Sequence, residues 1–310
     1  MFILGVRLLT DNAEKLLSGR MNFLLKKFAR TPRSSFMTGT AISAVTQSSV
    51  AVNSALVKLV DGDKISLLNA CAVIVGVNVG TTMTTQIISL ANTSVNTSII
   101  GCFVCFLGVI LSSFKRLKSG GLALTGFGFV FMGLNMISPC AEYFQRYPFF
   151  MKIFTVKNPV LLIFYGIAFP AIMQSSSPLT GIMVVLSEQG VLSFSQNAFL
   201  ILGANIGSCV GVNIFSLNKN ENAKKCADFN LLLNVFGAII FAPLVTAFPN
   251  FFQTVLEWLS PKSERQLANF HTLYNLFTSL AALPFLKFFV KVSEFKFKKP
   301  FSLKRKNKNN

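Results

Sequence analysis

Charge is scarce in this chain, and negative charge scarcest. Only 13% of its 310 residues are charged, about half the share of a soluble domain. So few solvating groups cannot cover a globule of 34.0 kDa, and a chain that is 52% hydrophobic is no disordered polymer either. Histidine occurs once, as His271, which excludes a multi-histidine metal centre. No Gly-Lys dipeptide occurs, so there is no Walker-type phosphate loop through which ATP could drive work. The cysteines (Cys71, Cys102, Cys105, Cys140, Cys209 and Cys226) lie mostly in apolar stretches rather than at loop spacings, which argues against a disulfide framework. Cys102 and Cys105 form a CxxC inside a membrane-length apolar run, where packing explains them better than redox chemistry. Nothing pairs a nucleophile with a base, so no enzyme is expected. What remains is apolar mass, with a mean hydropathy of +0.58. An all-α integral membrane protein is the class that fits.

Spanning helices need about 20 mostly apolar residues. Residues 95–114, 120–138, 229–249 and 268–290 meet that need, while 35–90 and 161–217 are apolar but interrupted by polar residues and glycines. The two interrupted regions are copies. An offset of 127 aligns Gln47-Ser48-Ser49 with Gln174-Ser175-Ser176, and Gly76, Asn78 and Gly80 with Gly203, Asn205 and Gly207. Chance likeness between apolar segments would match leucines and valines, not these polar and glycine positions. An offset of 128 extends the match upstream, from Gly5 to Gly133 and from Ala13-Glu14 to Ala141-Glu142.

The chain therefore divides into two repeats. Repeat one, 1–118, holds a first helix, a hairpin at 35–60, a broken helix at 65–90 and a helix at 95–114. Repeat two, 119–250, holds a helix at 120–138, a hairpin at 161–188, a broken helix at 192–217 and a helix at 229–249. A final transmembrane helix follows within 251–292, then a basic tail at 293–310. Residues 1–10 match only the second half of the helix at 120–138, so the first helix is expected to be incomplete, with about ten residues missing upstream of Met1.

Lysine and arginine outnumber the acids 29 to 11, and their placement orients the molecule. If each hairpin is re-entrant, residues 11–34, Lys58, Lys64, Lys115–Lys118, Lys219–Lys225 and the tail share one side. Arg146, Lys152, Lys157, Lys262 and Arg265 fall on the other. The positive-inside rule makes the first side cytoplasmic. The C-terminus is then inside and the N-terminus outside, with seven crossings. Each repeat contributes three crossings and a hairpin, so the copies sit inverted, as in many secondary transporters. Lys296–Asn310 reads as a solvated stop, or as contact with anionic headgroups through its lysines and Phe297 and Phe301.

Gln47, Ser48, Ser49, Gln174, Ser175, Ser176 and Ser177 sit in apolar arms, where an unsatisfied polar group is expensive. Interhelical hydrogen bonding would account for one such cluster. Two at one offset, each followed by an asparagine between glycines, point instead to a binding site. Gly76-Val77-Asn78-Val79-Gly80-Thr81-Thr82 and Gly203-Ala204-Asn205-Ile206-Gly207-Ser208-Cys209 read as unwound turns whose carbonyls suit Na⁺ and whose amides suit an anion. The alternative is glycine-mediated helix crossing. No charged residue is near either cluster in sequence, which favours Na⁺ over H⁺ coupling. Half-helix N-termini and hydroxyls could hold an anion without arginine. Arg7 reads as a snorkelling residue, and His271 as a satisfied packing or interfacial histidine.

The paired Gln-Ser-Ser and Gly-x-Asn-x-Gly elements resemble the sodium/phosphate symporter family, the type II sodium-dependent phosphate cotransporters and their bacterial relatives. Ala268-Asn269-Phe270-His271-Thr272-Leu273-Tyr274-Asn275 is similar to that family's A-x-x-H-x-x-F-N segment. The resemblance implies a Na⁺-coupled inorganic phosphate symporter of a bacterial inner membrane. It implies phosphate and Na⁺ around Gln47, Ser48, Ser49, Gln174, Ser175 and Ser176, with Na⁺ near Gln47, Ser48, Gln174 and Ser175, and Asn78, Thr81, Thr82, Asn205 and Ser208 nearby. No cofactor beyond the coupling ion and no nucleic acid is expected. Val50 replaces a usual serine, Ser208-Cys209 replaces Thr-Thr, and no PhoU-like domain lies within these residues. A phosphate exporter, a carrier of another oxyanion and a non-transporting membrane regulator remain alternatives.

Overall fold

The structure, a computed structural model, describes residues 1–91, 97–145 and 156–295. Among them every regular element is helical. The helices are α1 (Phe2–Phe28), α2 (Pro32–Thr46), α3 (Ser49–Asp61), α4 (Leu67–Ala91), α5 (Thr97–Ser112) and α6 (Lys118–Gln145). They continue as α7 (Pro159–Met173), α8 (Ser177–Glu188), α9 (Phe194–Gly207), α10 (Val210–Ser216), α11 (Glu221–Ala247), α12 (Pro249–Leu259), α13 (Ser263–Ala282) and α14 (Leu286–Phe295). Four stretches are long and apolar enough to cross a membrane: Leu67–Leu90, Lys118–Ile137, Phe194–Ser216 and Glu221–Ala247. Arg146, Lys152 and the tail from residue 296, including Phe297 and Phe301, lie outside the described residues.

Local sequence starts both hairpins. Thr31 caps α2 in a reciprocal box with Ser34 and Pro32 opens its first turn; Asn158 caps α7 and Pro159 does the same there. Proline at the first helical position gives up an amide that had no partner. Shifting the bounds of α2 by 127 reproduces those of α7. Both helices stop at a glutamine in the left-handed region, Gln47 at φ 55° and Gln174 at φ 54°. The chain then folds back through α3 and α8. Asn69 donates its side-chain amide to the Arg30 carbonyl at 3.0 Å, and Gln196, its counterpart at the same offset, donates to the Val156 carbonyl at 3.0 Å. Each bond ties the chain just before a hairpin to the first turn of the helix that follows it. At 1.5 Å per residue an arm is about 20 Å long, short of the roughly 30 Å of a bilayer core.

Close backbone contact then locks each hairpin to the helix that follows. A Cβ on Gly76 would fall on the Phe36 carbonyl, and one on Gly203 would fall on the Ile163 carbonyl. The contacts of Gly39, Gly76 and Gly80 advance together along α2 and α4, so these helices run parallel, and α7 and α9 do likewise. The first helices of the two halves meet in antiparallel fashion: Gly133 lies against Phe2, Val130 against Gly5 and Gly126 against Leu9.

Three expectations change. Residues 65–90 are not a broken helix: α4 runs unbroken through Gly76 and Gly80, because those glycines admit the α2 backbone rather than unwind their own. The equivalent stretch does break, at Ser208–Cys209 between α9 and α10. The first helix does not stop near Thr10 but continues to Phe28, burying Ala13, Met21 and Leu25. Residues 251–292 are not one helix. The amphipathic α12 precedes α13, and the 3₁₀ turn Leu283–Phe285 separates α13 from α14. Pro284 sits in that turn, lacking the amide that would continue an α-helix.

Candidate functional site

The hairpin tips bring the two Gln-Ser-Ser sequences together. A cavity of about 690 Å³ is lined by Ser48 from the first tip and by Gln174 and Ser175 from the second. Its walls come from α1, through Arg7, Thr10, Asp11 and Glu14, and from α3, through Ser54 and Lys58. A smaller cavity of about 260 Å³ holds Gln47, Thr84 and Ser177, and shares Thr10 with the larger one. The tips therefore separate two spaces.

The two glutamines differ in state. Gln47 is nearly buried, accepts from the Thr84 hydroxyl at 2.5 Å and donates to the Ala44 carbonyl. Gln174 is exposed along the cavity wall. Ser48 caps α3, its hydroxyl accepting from the Ala51 amide at 3.2 Å. That bond uses one lone pair and leaves the O–H free to donate. Ser175 is its counterpart at the 127-residue offset, although the residue that precedes α8 is Ser176, whose side chain makes no capping bond. Ser49 and Ser176 line neither cavity.

Behind the tips runs a buried polar circuit that begins and ends on α4. Asn78 donates to Asn234 at 3.3 Å. Asn234 donates to the Cys209 thiol at 3.3 Å, and that thiol to the Asn205 carbonyl at 3.3 Å. Asn205 donates to Asn275 at 2.9 Å, while its side-chain oxygen faces His271 Nε2 at 3.3 Å. His271 Nδ1 meets the Thr85 hydroxyl at 2.9 Å, which returns the circuit to α4. Because the Asn205 oxygen can only accept, this amide orientation puts an imidazole proton on Nε2, and Nδ1 shares its bond with the Thr85 hydroxyl. Both ring nitrogens are satisfied. His271 is thus the satisfied packing histidine, buried rather than interfacial.

The structure does not place Asn78, Thr81, Thr82, Asn205 or Ser208 on either cavity wall. Thr81 bonds Ser43 across the α2–α4 contact at 3.1 Å. Thr82 and Ser208 bond back to the carbonyls of Val79 and Asn205, each at 2.8 Å. Asn78, Thr81 and Asn205 tie helices together, whereas the Thr82 and Ser208 bonds stay within one helical turn. Conversely, Arg7, Asp11 and Glu14 line the cavity with the tips, which corrects the expectation that no charge is near. Their spacing of four and three residues puts them on one helix face, and that signal was present in the sequence. Thr84 and Thr85 carried a weaker one, extending the polar stripe of Thr81 and Thr82.

Apolar helices of membrane length, folded around two hairpins whose polar tips meet at one cavity, define an integral membrane protein. The chain belongs to the Na⁺/Pi-cotransporter family, whose model matches residues 1–139 and 150–256. It is 26% identical over 296 residues to the "Uncharacterized protein YqeW" of Bacillus subtilis, covering 94% of this chain and 93% of that one. It is 25% identical over 291 residues to the "Putative inorganic phosphate export protein YjbB" of Salmonella typhimurium, and 24% identical to the YjbB protein of Escherichia coli K12. Those alignments cover 92% of this chain but 52% of each YjbB protein, so the chain spans about half their length. No solved structure matches it.

Proposed function

We propose that this protein is a Na⁺-coupled carrier of inorganic phosphate that works by alternating access between two inverted repeats, 1–118 and 119–250. The observation that carries the reading is the meeting of Ser48, Gln174 and Ser175, from two hairpins of equal design, on one cavity. Hydroxyls and an amide there suit a tetrahedral oxyanion, and the same oxygens suit a partly dehydrated Na⁺ near Gln47, Ser48, Gln174 and Ser175. Inversion is supported by the antiparallel meeting of α1 and α6. Re-entrant hairpins are supported by arms too short to span and by the two closing bonds at their bases. Lysine and arginine placement favours a plasma membrane with the C-terminus inside.

Radiolabelled phosphate uptake into proteoliposomes, with and without a Na⁺ gradient, tests this reading. Na⁺-dependent accumulation is expected; its absence would reject the coupling. Gln174→Ala is expected to abolish uptake in folded, inserted protein, and wild-type transport by that variant would reject the site. The printed name of the YjbB relatives favours a second reading, in which the net flux of phosphate is outward. Flux measured in both directions separates the two, and competition by arsenate and sulfate fixes the cargo.

A further inference from the structure

Arg7 occupies an unusual place for a membrane arginine. Thr10, one turn away, lines both cavities, and in the smaller one it stands with Gln47. That turn of α1 is therefore level with the hairpin tips. Asn22 and Lys58 line the same large cavity farther along α1 and α3. A helical rise of 1.5 Å puts Asn22 about 22 Å from Arg7, and Lys58 about 15 Å from Ser48. Arg7, exposed on the cavity wall, belongs to the end of the cavity that holds Ser48 and Ser175, and Lys58 lies toward the other end. Among the described residues Arg7 makes no ion pair. A snorkelling arginine reaches for headgroups at the membrane surface; this one shares a cavity wall with two hydroxylated tips.

Resting on the carrier reading above, we propose that Arg7 binds the transported phosphate on the cytoplasmic side, completing an oxyanion site with the Ser48 and Ser175 hydroxyls and the Gln174 amide. A guanidinium presents paired N–H donors that match two oxygens of a phosphate. Asp11 stands about one turn and Glu14 about two turns closer to the Lys58 end. They disfavour a bare dianion and favour Na⁺, so the two ions enter this vestibule together. The second repeat lacks these cations. At the offsets that align the repeats, Arg7 meets Asn135 (128) and Lys58 meets Val185 (127). Phosphate affinity is therefore one-sided, stronger from the cytoplasmic face. That asymmetry sets kinetics, while the ion gradients still set the equilibrium.

The test measures the phosphate KM at each face, using reconstituted full-length protein of defined orientation. Arg7→Gln is expected to raise the cytoplasmic KM about tenfold or more, the scale of a lost charged hydrogen bond, and to leave the external KM unchanged. Arg7→Lys keeps the charge and is expected to recover most of that loss. An unchanged cytoplasmic KM in Arg7→Gln, or equal shifts at both faces, overturns the proposal. Should Arg7→Gln not insert, an Arg7→Lys protein with wild-type KM supports the charge, and one with equal shifts at both faces overturns it. A wild-type protein that moves no phosphate in either direction rejects the carrier reading instead.

Discussion

Each hairpin tip holds a glutamine at positive φ, a conformation that costs a residue with a Cβ about 1–2 kcal/mol and that glycine adopts freely. Strain kept at two equivalent places, in a residue with a long amide, marks side chains retained for what they touch. Gln174→Gly should therefore raise the melting temperature, by up to about 1 kcal/mol of stability, while phosphate transport falls to background. A stable and active Gln174→Gly protein would show that the amide has no part in the site. The Gln-Ser-Ser pairs were legible in sequence because polar residues in apolar arms stand out and their offset is fixed. The place of Arg7 on the cavity wall was not legible, because snorkelling and cavity lining call for the same letter at the same helix position. Only the arrangement of α1 against the tips distinguishes them.

At the scale of elements, glycine had two meanings that one motif could not separate. Gly-x-Asn-x-Gly could unwind a helix or admit a neighbour, and in α4 it admits α2. Gly76→Ala would drive a methyl into the Phe36 carbonyl. Because that obstacle is backbone rather than a flexible side chain, the loss should exceed about 3 kcal/mol or prevent insertion. Gly211→Ala is the control: its nearest neighbour, Val50 Cγ1, is 3.7 Å from the new Cβ, and stability should change by no more than about 0.5 kcal/mol. Thermal melting in detergent compares the two, and equal effects would refute the packing role of Gly76. The hairpins were readable from their polar tips and flanking turns. The break expected within 192–217 was readable too, and it falls at Ser208–Cys209; the separate α12 was not, since apolar content is similar on both sides of its junction.

The whole molecule is tied across its halves at one exposed corner. Asp61, at the end of α3, accepts from the Asn220 backbone amide at 2.8 Å and meets Lys219 at 3.2 Å. Asn220 also caps α11, so the end of the first hairpin holds the start of a helix in the other half. The Asn220 amide, with help from Lys219, keeps the Asp61 carboxyl below its usual range. A depressed pKa means the tie is whole at neutral pH and loosens as pH falls through the carboxylate range. Hydrogen exchange at the Asn220 and Ala223 amides should accelerate in Asp61→Asn at neutral pH, and in the wild type only on acidification. Unchanged exchange in the variant would dismiss the tie. The offset of 127 made the duplication visible in the sequence, but contacts such as this one join residues that the duplication does not relate, so no internal comparison could reveal them.

The seam between α1 and α6 has one more consequence. Under the 128-residue offset, Phe2 corresponds to Val130 and Gly5 to Gly133, so the contact of Phe2 with Gly133 and that of Gly5 with Val130 are the same contact seen from either half. Self-complementary pairing of this sort is what two copies of one polypeptide make across a dyad. A single gene here encodes both faces of what amounts to a homodimer interface. Neither face can drift alone, and a bulkier residue accepted at one glycine demands a smaller partner on the opposite strand of the same seam.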